Sequence, residues 1–331
     1  MLQELIPLSE KKAWEECLLG LPHSFGHTWD SNNAMHLSGN HPTFLYHGRF
    51  GDTRFVCPIA ERSFKGYKDI FTPYGISGFT GNAPIEEFQA NWHQFMKDQG
   101  YVCAYIAQNP FVPFGIAPTK TGDRPLRNLY ALELEKGVSK LFEALSGGRK
   151  GQVKKYAHIQ QDIISDKEQL MPFFLSNYHQ FMAGKSASDV YDFSNSTLKS
   201  LIASPKTSLF GSKRGNRVTA VAMFGEGNIM IDYLFCITLP EGRDLTTALL
   251  WHAVNYYQGK EQKLLNLGGG ITAGDKLEDY KRRFGGLTTG FGSIRVIYNE
   301  DIYFTLCKEA GIDSLNTDYF PAYWSNRDSS K

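Results

Sequence analysis

Residues 263–286 read KLLNLGGGITAGDKLEDYKRRFGG: a short apolar strand, an exit through three glycines, and a brief helix that ends in Tyr-Lys-Arg-Arg-Phe-Gly-Gly. Beyond Leu267 the glycines Gly268, Gly269 and Gly270 carry no Cβ, so backbone there can come close to a ligand. The helix that follows points a cation back at the same gap. On 3.6-residue geometry Leu277, Tyr280 and Phe284 share one face, Lys281 sits at its margin, and Arg283 lies well away, so Lys281 is expected to face inward. Two plainer readings stay open. A Gly-rich passage from strand to helix can be turn chemistry alone. Gly268, Gly270 and Ala273 also fit the G-x-G-x-x-A spacing of a dinucleotide fingerprint. That motif needs a βαβ unit and an acid about twenty residues on; here the strand comes late, the helix is short, and no acid falls near that spacing.

Upstream, the longest clean helix pattern runs from Arg243 to Tyr257, with Leu245, Ala248, Leu249, His252, Ala253 and Tyr256 on one stripe. Before it, strands are expected at Thr207–Ser212, Arg217–Phe224 and Asn228–Ile237, the last two joined across Gly225-Glu226-Gly227. Downstream, a strand at Gly292–Tyr298 and a helix near Asp301–Ala310 close the chain's pattern. Toward the N-terminus of this half, Val138, Leu141, Phe142 and Leu145 mark an amphipathic helix, Gly147-Gly148 interrupt it, and a basic segment continues. Helices near Lys167–Phe181 and Ser196–Ile202 flank a polar stretch, Gly184–Asp192.

The N-terminal half is a weaker copy: a helix near Glu10–Leu19, strands Thr43–Arg49 and Thr53–Arg62 joined at Gly51-Asp52, a helix about Ile85–Asp98 and a strand Tyr101–Gln108. The Gly- and aromatic-rich segment Phe71–Asn82 reads as an ordered loop, and the proline-punctuated Asn109–Arg127 as the least regular stretch. The expected division is residues 1–128 and 129–331.

Composition sets the outer bounds. With 331 residues, 42% hydrophobic and 14% aromatic, the chain has material for a substantial core. Lys plus Arg number 35 against 34 Asp plus Glu, so no global positive field advertises nucleic acid or an anionic membrane, and any anion site must be local. The five cysteines are scattered and never spaced C-x-x-C, which argues against a disulfide framework or a zinc site and fits a reducing compartment. No signal peptide and no run of roughly 18 apolar residues is found, so a cytoplasmic location is expected.

Several segments together resemble the Fem-type transferases, the peptidoglycan-bridge enzymes and their relatives: HTWDSN (27–32), the PYG loop (73–75), the basic RKGQVKK (149–155) and above all LNLGGG…YKRRFGG. The resemblance implies a mixed α/β, GNAT-like acyltransferase fold with two related halves and the donor site in the second. It further implies direct transfer of an acyl group to an amine. Acyl-coenzyme A or aminoacyl-tRNA would be the co-substrate, with no permanently bound cofactor and no metal, and tRNA is disfavoured by the near-neutral charge. The acceptor would be a small-molecule amine, in a nucleotide-linked sugar or a peptidoglycan or polysaccharide precursor. Pro240-Glu241-Gly242-Arg243 resembles a degraded form of the family's phosphate loop, lacking the full glycine set. Peptidoglycan-acting members often carry an arginine in the segment matching Ala187–Phe193, and none stands here. A catalytically inactive binding module for a nucleotide-sugar or protein partner is the rival from another class.

Within that frame the candidate residues are these. Asp232 interrupts an apolar strand and must be solvated, paired or used; it is a general-base candidate, with strand alternation as the plainer reading. Lys281 is the candidate cation; Tyr233, Tyr74 and Tyr298 are proton-donor candidates with packing as the plainer reading, and His252 fits core packing better than catalysis. Leu267 and the three glycines, with Gly242, Arg243 and Asp244 at the turn into the long helix, would hold the donor; Asp244 can also be an ordinary N-cap. Lys150, Lys154 and His158 align on one helical face, with Lys150, Lys154 and Tyr74 as acceptor or phosphate contacts, or else as a solvated surface.

Overall fold

The computed structural model describes residues 2–83, 88–112, 127–185, 189–313 and 319–325. In chain order the elements are β1 (Leu2–Pro7), α1 (Lys11–Leu18), α2 (Trp29–Gly39), β2 (Thr43–Phe50), β3 (Thr53–Phe64), β4 (Tyr67–Phe71), β5 (Thr80–Gly81), α3 (Phe88–Asp98) and β6 (Tyr101–Gln108). They continue as β7 (Arg127–Glu133), α4 (Val138–Ala144), α5 (Gly147–Lys155), α6 (Lys167–Ala183), α7 (Asn195–Ala203), β8 (Thr207–Arg214), β9 (Arg217–Glu226) and β10 (Met230–Thr238). The last are α8 (Thr246–Tyr257), β11 (Leu264–Gly268), α9 (Lys276–Arg282), β12 (Leu287–Ile297) and α10 (Glu300–Glu309). The fold is mixed α/β, and the chain divides into two compact units, neither continuous in sequence: residues 1–22, 41–124 and 292–331, and residues 23–40 and 125–291.

In the first unit the strand order is β1-β2-β3-β4-β6, followed by residues 292–297 of β12, and among the described residues only β4 and β6 run parallel. One face packs Tyr46, Phe55, Phe79, Phe88 and Trp92; the other packs Phe64, Val102, Tyr303, Leu306 and Tyr323. Covering on both faces explains why β6, YVCAYIAQ, is apolar almost throughout instead of alternating. Tyr298 is buried in the first of these clusters, where its ring meets Trp92 and His93.

The second unit has the order β7-β11-β10-β9-β8, with residues 287–291 of β12 on the outer side of β7, and among the described residues only β10 and β11 run parallel. Its core gathers Phe210, Phe224, Ile231, Leu265 and Leu267 from the strands against Leu249, Ala253 and Tyr257 of α8. The stripe on α8 is wider than its periodicity implies: Leu250, Trp251 and Val254 are buried as well, and Tyr256 is exposed. A helix apolar on most of its circumference buries most of it.

Some boundaries differ from the sequence reading for local reasons. The long helix begins at Thr246, because Pro240–Leu245 forms a tighter 3-10 turn with Pro240 at its start. α5 stops at Lys155, and Ala157–Asp162 winds as a 3-10 helix, so His158 does not continue the face of Lys150 and Lys154. Most of the irregular Asn109–Arg127 stretch and residues 85–87 of the expected helix at Ile85–Asp98 lie outside the described residues.

Candidate active site

The parallel pairing of β10 and β11 lasts three residues: Met230 opposite Leu264, Ile231 opposite Leu265, Asp232 opposite Asn266. Beyond that point β10 stays with β9 as far as Thr238, whereas β11 follows β7 to Gly268. Both strands change register where they part, between Tyr233 and Phe235 and between Asn266 and Gly268. Bulges of this kind bend a strand and end pairing. The result is a seam that opens on residues 233–238, with Asp232 and Asn266 at its apex.

The Asp232 carboxylate is half-buried and held from two sides: the Asn266 Nδ2 donates to Oδ1 at 2.9 Å, and the Phe25 backbone N–H donates to Oδ2 at 3.1 Å. Burial raises its pKa to about 6 against the opposing pull of these two hydrogen bonds. Asn266 also accepts the Gly268 N–H at 2.9 Å through Oδ1, so one amide ties the carboxylate to the start of the glycine loop. Tyr233, the next residue, stacks on Phe224 with ring centroids 5.2 Å apart, and burial pushes its phenol well above the ordinary range.

The glycine loop is braced by two carboxylates. Asp275 accepts the N–H groups of Ile271 (2.6 Å), Thr272 (3.0 Å) and Glu278 (2.7 Å), capping α9 as it does so. Glu278 accepts from Asn128 Nδ2 (3.1 Å), the Tyr130 hydroxyl (2.9 Å) and Gly274 N–H (2.5 Å). This corrects the face expected for α9: Leu277 is exposed, and Glu278 with Lys281 turns inward. Lys281 Nζ donates to the Gly269 carbonyl at 2.7 Å, and burial lowers its pKa to about 8. Arg283, by contrast, is half-exposed and pairs with Asp279 at 2.7 Å.

Gly268 adopts φ +72°, a conformation that disfavours side chains, and a Cβ there would stand 3.1 Å from Lys281 Nζ. At Gly269 the space for a Cβ is held by the Asn128 carbonyl, and at Gly270 by Asp275 and Glu278, so close packing within the unit accounts for both. The Leu267 side chain is in the core.

At the turn into α8, a Cβ on Gly242 would strike the Thr219 carbonyl, and its N–H donates to Leu239 O at 3.0 Å. Arg243 is exposed. The alternative of Asp244 as N-cap is overturned: the residue lies inside the 3-10 turn, where it accepts from the Tyr156 hydroxyl and from Arg214 Nη2 at 2.6 Å. On α5, Lys154 is exposed and Lys150 partly so, whereas Arg149 reaches back to the first turn of α8, donating to Thr247 Oγ1 at 3.1 Å with its guanidinium 4.1 Å over the Tyr280 ring. His252 is half-buried with its ring edge-on to Phe210, and burial lowers its pKa. Tyr74 belongs to the first unit, in the loop between β4 and β5.

Asp232 and Lys281 are therefore tied to the two ends of one short path, Asp232–Asn266–Gly268–Gly269–Lys281, beside an open seam. A carboxylate titrating near 6 can take a proton at neutral pH; an ammonium titrating near 8 can still donate to a developing oxyanion. Asn266, Glu278 and the Phe25 N–H escaped sequence reasoning. The one available signal was Asn266 itself, a polar residue in the apolar run LLNLG that repeats the anomaly of Asp232. Among the described residues no cluster of three or more His, Cys, Asp or Glu could hold a metal ion, and no helix is long and apolar enough to cross a membrane.

No family model matches the chain, and no curated protein matches it in sequence. Solved structures do. The chain is similar in fold to FemX, with TM-score 0.63 over 92% of this chain and 99% of FemX at 11% identity. It is similar to a conserved protein of unknown function from Bacteroides thetaiotaomicron, with TM-score 0.57, 8% identity and coverage of 89% and 99% of the two chains. L-PGS from Bacillus licheniformis is also similar, with TM-score 0.52, 11% identity and coverage of 92% and 98%. The chain thus shares its fold with FemX, as the resemblance of its glycine-loop signature to the Fem-type transferases implied.

Proposed function

We propose that the chain is an N-acyltransferase that moves an acyl group from coenzyme A to the amine of a cell-envelope or polysaccharide precursor. The observation that carries this reading is the opening of β10 from β11 immediately after Asp232 and Asn266, with Lys281 tied to the same loop. Unpaired strand edges at the seam offer backbone groups to the amide bonds of a donor arm, and GNAT-like chemistry needs such a gap. An amine arrives largely as ammonium, with an ordinary pKa of about 8 for an α-amine and about 10 for a lysine side chain. Asp232 removes a proton, the freed nitrogen attacks the thioester carbonyl, Lys281 donates to the resulting oxyanion, and the C–S bond breaks to release the thiolate. The nitrogen's second proton leaves as the amide forms and the thiolate is protonated, so the sum is amide, free thiol and one proton. An aminoacyl ester on tRNA would react by the same steps with a ribose hydroxyl as leaving group, and the near-neutral charge balance favours coenzyme A over it.

One observation supports the rival reading of an inactive binding module: Gly242, the glycine kept from the phosphate loop, is filled by Thr219 and has its N–H engaged. The two readings separate on a direct assay. Purified protein incubated with acetyl-coenzyme A and amino-sugar or peptide amines should release free thiol in proportion to N-acylated product measured by mass spectrometry. Tight binding of coenzyme A without thiol release for any amine, and without transfer from charged tRNA, would leave only the binding module.

A further inference from the structure

Among the described residues, Arg149 has no carboxylate within ion-pair distance. Nη1 donates to Gln152 Oε1 at 2.5 Å and to Thr247 Oγ1 at 3.1 Å, and Nη2 has one long contact, 3.5 Å, to the Tyr280 carbonyl. Nε is buried and has no hydrogen-bond partner among the described residues. Asp279, whose charge acts on Arg149, is itself engaged at 2.7 Å by both Arg282 and Arg283. The guanidinium plane is fixed, 4.1 Å over the Tyr280 ring and 5.4 Å from the Phe284 ring. A half-buried charge is normally compensated, and a buried N–H left without a partner costs about 1–3 kcal/mol. The edge that remains is Nε with Nη2, the fork that takes a phosphate with two parallel hydrogen bonds. Burial also lowers the pKa of the group, and the charge of Asp279 offsets this only in part.

The surroundings identify what such an anion would belong to. Thr247 lies in the first turn of α8, a helix of 12 residues with no side-chain N-cap, whose N-terminal end favours negative charge. Tyr280, under the guanidinium, packs against the same core cluster as Cys236, which lies on the stretch of β10 that has parted from β11. From Tyr233 to Thr238 that open edge runs about 20 Å at roughly 3.3 Å per residue. We infer that the Nε–Nη2 edge of Arg149 binds a phosphate of the acyl donor's carrier, supplying from α5 the anion contact that the filled turn at Gly242 does not offer. The inference rests on the acyl-transfer reading for the identity of the carrier, which is either the pyrophosphate of coenzyme A or a phosphodiester at the end of a charged RNA. Arg149 then differs from its neighbours Lys150 and Lys154, which are point charges at the surface.

Calorimetric titration of wild type, Arg149→Met and Arg149→Lys tests it, with coenzyme A, phosphate-free pantetheine, inorganic pyrophosphate and a CCA-ended RNA minihelix as probes. Coenzyme A should bind Arg149→Met at least tenfold more weakly than wild type and Arg149→Lys to an intermediate degree, while pantetheine binds all three alike. Pyrophosphate should compete with coenzyme A only where Arg149 is present. If the minihelix takes the place of coenzyme A in this pattern, the carrier is RNA and the phosphate assignment stands. Equal losses for coenzyme A and pantetheine would make Arg149 a packing residue, and unchanged affinities would make it a spectator; either overturns the inference. Should Arg149→Met fail to fold, Arg149→Lys decides alone, because wild-type affinity for every phosphate-bearing probe in that folded variant overturns it. Arg149-dependent pyrophosphate binding in a protein that binds neither carrier would sink the acyl-transfer reading and leave the phosphate site. Acyl transfer with an unaltered donor KM in Arg149→Met would do the reverse.

Discussion

Among the described residues each unit has one parallel strand pair, and the two pairs behave oppositely at their ends. In the second unit β10 and β11 separate after Asp232 and Asn266. In the first, β4 and β6 remain joined past the end of β4: Thr72 N–H donates to Tyr105 O at 3.0 Å, Thr72 Oγ1 accepts from Ala107 N–H at 2.9 Å, and Asn109 N–H donates to Ser77 O at 3.1 Å, where Ser77 bridges Gln108. The residues at the two apices differ in the same sense. The open pair ends on a carboxylate and an amide; the closed pair ends on Phe71 opposite Tyr105. An open seam leaves backbone polar groups to be satisfied by something else, whereas a sewn seam satisfies them internally and has nothing left to offer. Among the described residues, only the second unit leaves a parallel pair open at this place.

The largest effect should come from the apex of the open seam. Asp232→Asn removes the proton acceptor and is expected to lower turnover by about 10²–10⁴-fold, the usual contribution of a general base. It should also change how stability depends on pH. Burial raises the folded pKa to about 6, above the ordinary carboxylate value of about 4, so the wild type loses stability as pH rises from about 4 to 6 and the variant does not. The amide has one acceptor oxygen for two donors, Asn266 Nδ2 and the Phe25 N–H, which costs the variant a pH-independent amount. Melting curves should therefore show the stability of Asp232→Asn relative to wild type rising between about pH 4 and 6. A difference that does not change with pH would show that Asp232 is not the group that titrates there. In wild type, activity should rise through about pH 6 as Asp232 ionises and fall through about pH 8 as Lys281 loses its proton.

Next in size is Lys281. Its ammonium donates to the Gly269 carbonyl and is held by burial, whereas Arg283 sits in a surface ion pair of the kind that contributes little. Lys281→Met should cost about 10–10³-fold in kcat and remove the alkaline limb, as loss of an oxyanion donor does. Arg283→Ala should stay within about twofold. Equal effects from the two would take Lys281 out of the chemistry. Asn266→Leu is smaller again: it deletes the hydrogen bond that holds Asp232 toward its ionised form. The acidic limb should move upward by up to about one pH unit, with the plateau rate reduced far less than by Asp232→Asn. An unmoved limb would mean that Asn266 serves only the Gly268 turn.

How much of this was legible follows the range of the interactions. Lys281 could be read as inward because helix geometry is local, yet its neighbours on the stripe were misjudged: Glu278 displaced Leu277 once Asn128, Tyr130 and Gly274 offered it three donors, the first two about 150 positions away. Asp232 was visible as an anomaly in an apolar strand, but its partner Phe25 lies 207 positions away, and no pattern encodes a backbone N–H. α2, WDSNNAMHLSG, shows no apolar stripe. It is built instead by the Thr28 cap and by Asn32 donating to Gly26 O and Thr28 O at 2.9 and 2.8 Å, polar chemistry that periodicity does not record. β7, RNLYALE, buries four residues in succession, Leu129 to Leu132, without alternation, and its strand character comes from lying between β11 and β12. The basic segment showed its charges without showing which one turned inward, since that depends on the Tyr280 ring and Thr247 arriving from elsewhere in the chain.

The smallest effect on activity belongs to the closed seam, and there the comparison is most exposed to failure. Thr72 is buried, and its hydroxyl accepts the Ala107 N–H, one of the stitches that hold the loop after β4 to β6. Thr72→Val keeps the shape and the β-branch while leaving that N–H without its acceptor, which costs about 1–3 kcal/mol for a buried group. The loss should appear as a lower melting temperature and as faster hydrogen exchange at Ala107, confined to the first unit. Acyl transfer by the folded protein, its pH profile and its donor KM should remain within twofold of wild type, because nothing in the proposed chemistry draws on the sewn strands. A fall in kcat on the scale of Lys281→Met, in a variant still folded at the assay temperature, would show that the first unit's strand pair contributes to turnover. The contrast between one open and one closed seam would then no longer locate the site.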